Sequence, residues 1–163
     1  MTTLTTSNPV KDIVVDMGQI AVGQSPQRMK AIVGSCIGVV LYHRVRKTGV
    51  MAHIVLPDSA GRDGTPGKFA DTAIPNMLDL LRAAGAPVHG LVAKLAGGAN
   101  MFRSTGALLI GNANAEVVAK ALQNAGIPVA GAEVGGTHGR RIEFDCTNGQ
   151  MTIQCAGQPA HSL

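Results

Sequence analysis

Short apolar runs alternate with glycine, proline and polar residues along most of the chain, and this pattern predicts many β-strands. Two runs, residues 37–41 and 49–57, are joined by the polar segment 43–48 and form a predicted hairpin. A second hairpin, with strands at 141–146 and 150–156, is predicted around an Asn148-Gly149 turn. The other strands are predicted at residues 13–15, 20–22, 29–33 and 88–96, and from residue 129 to the glycine pair at 135–136.

Apolar residues that recur every three or four positions predict two helices. The first spans residues 72–84, with Thr72 as its N-cap, Pro75 in the first turn and Gly85 as its stop. The second spans residues 113–125, and Gly126 directly after it is its stop. Residues 56–67 are rich in glycine, proline and polar residues and lack periodicity, so they are predicted to form a loop. This loop is interpreted as a rim or lid of a site near His53, with a plain surface connection as the alternative.

The count of about eight strands and two helices, with most strands consecutive in sequence, favours an α+β fold. Two helices cannot cover both faces of one large sheet. The sequence therefore predicts two packed sheets with a helix on each outer face. A chain of 163 residues has the usual size of one domain, so residues 1–163 are predicted to form a single domain. Its core is expected at about residues 11–156, and both ends are expected to be mobile.

A thiol beside an imidazole is the chemistry that the pattern indicates most strongly. Cys36 follows Gly34-Ser35, where the backbone can turn tightly, and it opens the apolar run 37–41. His53 lies between apolar residues on the next predicted strand. The hairpin would bring the two side chains close together, as a cysteine hydrolase requires. The imidazole would take the thiol proton, and backbone N–H groups near Ser35 and Ile37 would face a developing oxyanion.

Plainer interpretations exist for these residues. Cysteine is among the most buried residue types, and a histidine in an apolar run can be an ordinary core residue. His138, in a glycine-rich stretch, is an alternative base. Zinc bound by Cys36, His53 and another cysteine is formally compatible with the sequence, although the spacing matches no common zinc site. Cys146 and Cys155 have no comparable context and are predicted to be structural.

Net charge, cysteine spacing and the length of the apolar runs argue against some classes of function. The formal net charge is +4, and the few basic residues that cluster have no interleaved aromatic residues, which argues against nucleic-acid binding. Three cysteines without CxxC spacing suit a reducing compartment with free thiols. No segment resembles a signal peptide or approaches the roughly 20 apolar residues that span a bilayer. The expected location is therefore the cytoplasm.

Several motifs, in order along about residues 13 to 154, resemble the chemoreceptor glutamine deamidase family, CheD. They are Gly34-Ser35-Cys36, the segment 49–57 with His53, Ala70-Asp71, Lys94 with the segment 97–102, the segment 110–114, and Gly135-Gly136 with Gly139-Arg140. The resemblance implies hydrolysis of glutamine side-chain amides on chemoreceptors to glutamate, with methylesterase activity as a secondary expectation. It also implies a four-layer α/β/β/α fold like that of the catalytic domain of cytotoxic necrotizing factor toxins.

Carried over by position, the resemblance implies that Cys36 is the nucleophile and His53 the base. The family has a threonine six positions before the cysteine, where this sequence has Lys30. A threonine hydroxyl can accept a bond from an imidazole N–H, whereas an ammonium can only donate. The implied alternatives are that a backbone carbonyl orients His53 or that catalysis is weakened. Lys30 could also favour the Cys36 thiolate if its side chain turns toward the site.

The resemblance implies no metal and no organic cofactor. The implied partners are the cytoplasmic helices of a chemoreceptor and the CheC phosphatase, so that contact with the membrane would be only through receptors. Because Lys30 replaces the threonine, the alternative function is a non-catalytic module that binds receptors or CheC.

Overall fold

A computed structural model describes residues 10–101 and 110–163 of the protein. The predicted α+β class with two packed sheets is confirmed, because these residues form ten strands in two sheets, two α-helices and a single 3-10 turn at Pro66–Lys68. The strands are β1 (Ile13–Val14), β2 (Ile20–Gln24), β3 (Arg28–Val33), β4 (Ile37–His43), β5 (Thr48–Ile54), β6 (Leu91–Gly97), β7 (Val129–Val134), β8 (Arg140–Asp145), β9 (Gln150–Cys155) and β10 (His161–Ser162). The helices are α1 (Ala70–Ala83) and α2 (Ile110–Asn124). The predicted mobile segment 1–9 and Phe102 lie outside the described residues.

Within the described residues each sheet has five strands. Sheet I has the order β1-β3-β8-β9-β10, and sheet II has the order β2-β5-β4-β6-β7. The inner faces of the two sheets enclose an apolar layer, the inter-sheet layer, whose centre includes Met29, Met51, Ile142 and Phe144. The opposite face of sheet II packs against the helices through a second apolar cluster. Both faces of sheet II are therefore buried, which explains why all residues of β4 and β5 are buried.

The arrangement of the helices differs from the predicted helix on each outer face. In the described residues α1 and α2 pack against each other and against strands of sheet II. The reason is topological. Helix α1 connects β5 to β6 and α2 connects β6 to β7, and these strands run parallel and follow one another in the same direction across the sheet. Right-handed crossovers of this kind place both helices on the same face. The outer face of sheet I consequently carries exposed apolar side chains such as Val14 and Ile32.

The first helix begins two residues earlier than predicted, at Ala70, with Phe69 at the N-cap position. Thr72 does not act as a cap, because its hydroxyl donates to the carbonyls of Pro66 and Phe69. A threonine cap would accept the N–H of the residue two or three positions on, and Pro75 has no N–H to offer. Pro75 thus lies inside the helix, beyond its first turn. Helix α2 presents a buried stripe formed by Gly111, Asn114, Val118 and Leu122.

Both predicted hairpins are present. In β4 and β5 the register pairs Gly38 with His53, and β8 and β9 pair around the turn at 146–149. At the C-terminal end, where mobility was expected, β10 pairs with β9, and the Leu163 N–H donates to the Met151 carbonyl. Neither helix in the described parts of the chain combines the length and the apolar character that crossing a membrane would require.

Candidate active site

Cys36 lies in the turn between β3 and β4, directly before the first residue of β4. Its side chain is 7% exposed and belongs to the inter-sheet layer, whereas the neighbouring Ile37 points to the helices. Burial raises the pKa of the Cys36 thiol, and a smaller, opposite influence comes from the residue's own backbone N–H. The resting side chain is therefore a neutral thiol at physiological pH, and an adjacent base must take its proton for it to act as a nucleophile.

His53 is the penultimate residue of β5, and only 3% of it is exposed. Its register partner on β4 is Gly38, two positions after Cys36. Since side chains alternate between the faces of a sheet, His53 and Cys36 point into the same inter-sheet layer from adjacent strands. Such diagonal neighbours are typically about 7–8 Å apart at the backbone. Among the described residues, no hydrogen bond joins the thiol to the imidazole in this resting arrangement.

The segment between β1 and β2 surrounds His53. The imidazole Nδ1 is 2.9 Å from the carbonyl oxygen of Val15, which can only accept a hydrogen bond. The same segment also holds the backbone of His53. The His53 N–H donates to the Gln19 carbonyl, and the His53 carbonyl accepts the Gly18 N–H. Nδ1 must therefore carry a proton, and Nε2 is the nitrogen free to act as a base. The Val15 carbonyl is therefore positioned to orient the imidazole, a role for which the sequence offers no threonine hydroxyl at position 30.

Lys30 lies on the outer face of sheet I, and its ammonium does not reach the thiol. Its Nζ is 2.8 Å from Asp12 and 3.4 Å from Glu143, and Arg28 pairs with the same two carboxylates. The hydrogen bond to Asp12 is the main reason that the pKa of Lys30 is raised. These contacts give no support to the role considered for Lys30, which was stabilisation of the Cys36 thiolate. The lysine instead helps to attach the two-residue strand β1 to β3.

A cleft of about 830 Å³ extends from His53 across the exposed face of sheet I. His53, Val15 and Lys30 are part of its wall, whereas Cys36 is not. The predicted loop after His53 packs beside this region, since the Thr65 hydroxyl donates to the Gly18 carbonyl at 2.6 Å. The loop therefore contacts the same segment that holds His53.

Asn114 lies near the site and ends the motif 110–114, but the sequence analysis assigned it no role. It lies on α2 and is fully buried, and its Nδ2 donates to the carbonyls of Ser35 and Val55 at 3.0 and 2.9 Å. One amide group thus connects the segment before Cys36 to the segment after His53. Its spacing with Gly111, Val118 and Leu122 on the buried stripe of α2 was the signal that could have identified it.

The other candidates lie elsewhere. His138 is exposed, is bonded to the Thr137 hydroxyl, and lines a separate surface cavity with Cys155. Cys146 is fully buried in the inter-sheet layer. Within residues 10–101 and 110–163, no three histidine, cysteine or acidic side chains are grouped so that they could hold a metal ion.

Comparison with known proteins agrees with this arrangement of motifs. The family described as CheD chemotactic sensory transduction matches residues 55–155. A probable chemoreceptor glutamine deamidase CheD of Methanococcus vannielii is 41% identical, over 86% of this chain and 92% of that protein. The homologue of the same name from Desulforamulus reducens is 42% identical, over 91% and 93% of the two chains. The chemoreceptor glutamine deamidase CheD of Thermotoga maritima is 39% identical, over 88% and 92%. On these matches, the chain belongs to the CheD family.

Proposed function

We propose that this protein hydrolyses the side-chain amides of chemoreceptor glutamines to glutamate, with Cys36 as the nucleophile and His53 as the general base and acid. The activity class is that of the relatives, which are named chemoreceptor glutamine deamidases. The observation that carries the residue assignment is the hydrogen bond from His53 Nδ1 to the Val15 carbonyl. In the neutral imidazole this bond places the lone pair on Nε2, and by strand register His53 faces the layer that contains the Cys36 thiol.

The first half of the reaction forms a thioester. His53 Nε2 takes the thiol proton, and the sulfur attacks the amide carbon of the glutamine. The carbonyl oxygen then carries negative charge, which backbone N–H groups between Ser35 and Ile37 stabilise. When the intermediate collapses, the C–N bond breaks, and the proton held by His53 goes to the nitrogen, which leaves as ammonia.

The second half regenerates the enzyme. His53 takes a proton from water, and the resulting hydroxide attacks the thioester carbon. Collapse of this intermediate breaks the C–S bond, and the proton returns to the sulfur. The balance is glutamine and water giving glutamate and ammonia, so no oxidant, reductant or cofactor takes part. A glutamate methyl ester would react by the same steps with methanol as the leaving group, which is the proposed methylesterase side activity.

The substrate partner in this proposal is the cytoplasmic helical part of a chemoreceptor, and CheC is a proposed second partner. The alternative of a non-catalytic binding module was motivated by Lys30. The argument for this alternative is weaker because the Val15 carbonyl accepts the hydrogen bond from His53, which a lysine ammonium cannot do.

The test is to incubate the purified full chain with a receptor cytoplasmic fragment and to measure intact mass. Each converted glutamine adds about one dalton. Cys36→Ala is expected to abolish the gain, and His53→Ala to reduce its rate by about 100-fold or more. Cys155→Ala and His138→Ala are the matched controls and should behave like the unaltered protein. Binding of the fragment without any mass gain would contradict the enzyme and favour the binding module.

A further inference from the structure

Three consecutive carbonyl groups around Cys36 are each held by a hydrogen bond. The Gly34 carbonyl accepts the Ala99 N–H at 2.9 Å, and the Cys36 carbonyl accepts the Gly98 N–H at 2.8 Å. The carbonyl between them, that of Ser35, accepts Nδ2 of Asn114 at 3.0 Å. Two of these bonds come from the main chain. The orientation of the Ser35–Cys36 peptide is the one that depends on a side chain.

The orientation of the Asn114 amide is fixed by its surroundings. Both groups that it meets, the carbonyls of Ser35 and Val55, can only accept, so the NH₂ end must face them. Its Oδ1 is buried and has no hydrogen-bond partner in the described part of the chain. A buried acceptor without a donor costs free energy. An apolar residue at this position would avoid that cost, but it would leave the carbonyls of Ser35 and Val55 without this donor. The side chain is therefore matched to these two carbonyls.

Peptide geometry connects this bond to the thiol. In a planar trans peptide the C=O and the N–H point in opposite directions. Because Asn114 draws the Ser35 carbonyl toward α2, the N–H of Cys36 is turned to the other side. This orientation agrees with the influence of the Cys36 N–H on its own thiol, which partly offsets the burial that raises the pKa of the thiol. A flipped peptide would instead present the Ser35 carbonyl to the reacting centre, and this oxygen would repel an oxyanion.

We propose that Asn114 is a positioning residue that holds the Ser35–Cys36 peptide so that the Cys36 N–H donates to the oxyanion of the reaction. The inference rests on the proposed function, because the oxyanion arises when the Cys36 sulfur attacks the glutamine amide. Asn114 itself does not touch the substrate. It acts by keeping one donor aimed at the place where negative charge develops.

The test compares Asn114→Asp with Val118→Ala. The aspartate has nearly the same shape but lacks the NH₂ donors, so Asn114→Asp should lower kcat by about 100-fold with little change in KM. Val118 is equally buried, one turn further along α2, and its side chain has no hydrogen-bond donor for either carbonyl. Val118→Ala should lower the unfolding temperature but leave kcat close to that of the unaltered protein. If Asn114→Asp does not fold, Asn114→Ala carries the same expectation.

Alkylation of Cys36 by iodoacetamide separates positioning from general damage, because this displacement forms no oxyanion. In Asn114→Ala, which removes the donors without adding a charge beside the thiol, the alkylation rate should stay within about threefold of the unaltered protein while deamidation falls. An undiminished kcat in Asn114→Asp would overturn the inference. The inference would also be overturned if kcat fell with the unfolding temperature in Val118→Ala to the same extent as in Asn114→Asp. The loss of kcat would then follow stability in both variants. If the unaltered protein deamidates nothing, the proposed function itself fails, and the role of Asn114 in it falls too.

Discussion

The imidazole of His53 and the carbonyl of Val15 are joined across the two sheets, with 2.9 Å between Nδ1 and the oxygen. His53 belongs to β5 of sheet II, and Val15 follows β1 of sheet I. The acceptor is a main-chain group, so it does not depend on the identity of a side chain. This relationship determines which nitrogen of His53 can act as a base.

In its neutral form, His53 is expected to be the Nδ1-protonated tautomer. The Val15 carbonyl can accept but not donate, so the alternative tautomer would bring two acceptors together. Two-dimensional ¹⁵N–¹H spectra of the imidazole ring would identify the protonated nitrogen. A neutral His53 with its proton on Nε2 would contradict the proposed base.

Replacing Lys30 is expected to have little effect on catalysis. In Lys30→Ala the Asp12–Arg28 ion pair remains, and so do the backbone bonds between β1 and β3. The carbonyl that orients His53 should therefore stay in place, and kcat for deamidation should remain within about threefold. A small decrease in the unfolding temperature is expected from the lost ion pairs.

The comparison that completes this test is Lys30→Thr, which introduces the hydroxyl of the family pattern. It should match Lys30→Ala, because position 30 lies on the outer face of sheet I. A large gain of activity in Lys30→Thr alone would show that the hydroxyl reaches His53 and would contradict the present assignment.

The reactivity of Cys36 in the resting protein should increase steeply with pH. Burial raises the pKa of this thiol above its usual value of 9.0, so only a small fraction is thiolate at neutral pH. The rate of alkylation by iodoacetamide should rise about tenfold for each pH unit between about pH 7 and about pH 9. Peptide mapping by mass spectrometry would assign the label to Cys36. A rate that is already constant above neutral pH would indicate a preformed thiolate.

Stability should decrease at alkaline pH because of Cys146. Burial raises the pKa of its thiol from 9.0 to about 11 in the folded protein. Between these values the unfolded chain loses the proton while the folded chain keeps it, so the free energy of unfolding falls as the pH rises. The full difference corresponds to about 3 kcal/mol. Cys36 should contribute with the same sign.

Urea unfolding of the unaltered protein and of Cys146→Ala, measured between about pH 8 and about pH 11, would test this expectation. The substitution lowers stability at every pH by leaving a cavity, but it should make the loss with rising pH smaller. Parallel pH profiles for the two proteins would contradict the assignment to Cys146.

Much of the fold could be predicted from local sequence signals. The Asn148-Gly149 turn and the polar segment before Thr48 indicate both hairpins, and glycines mark the ends of the helices. The positions of the helices relative to the sheets could not be predicted in this way. They follow from the order of β5, β6 and β7 in sheet II, and strand order depends on contacts between residues far apart in the chain.

The Cys36–His53 pair could be proposed from sequence because Cys36 directly precedes β4 and His53 lies on β5, the two strands of one hairpin, whose register is local. The Val15 carbonyl and the Asn114 amide, which hold the surroundings of this pair, could not be proposed in this way. Val15 acts through its carbonyl, so its residue type contains no signal, and it reaches His53 only because the sheets pack together. Asn114 lies about 80 residues from Ser35 in sequence and meets it only when α2 packs on sheet II.

The packing of sheet I on sheet II has a consequence for partly folded forms of the protein. The thiol and the imidazole come from one sheet and the acceptor for the imidazole from the other, so native secondary structure alone does not assemble the site. A compact state with intact strands and helices but loosened sheets would keep its far-ultraviolet circular dichroism and lose its catalytic centre. Activity in this protein should therefore be a more sensitive reporter of tertiary order than any measure of helix or strand content.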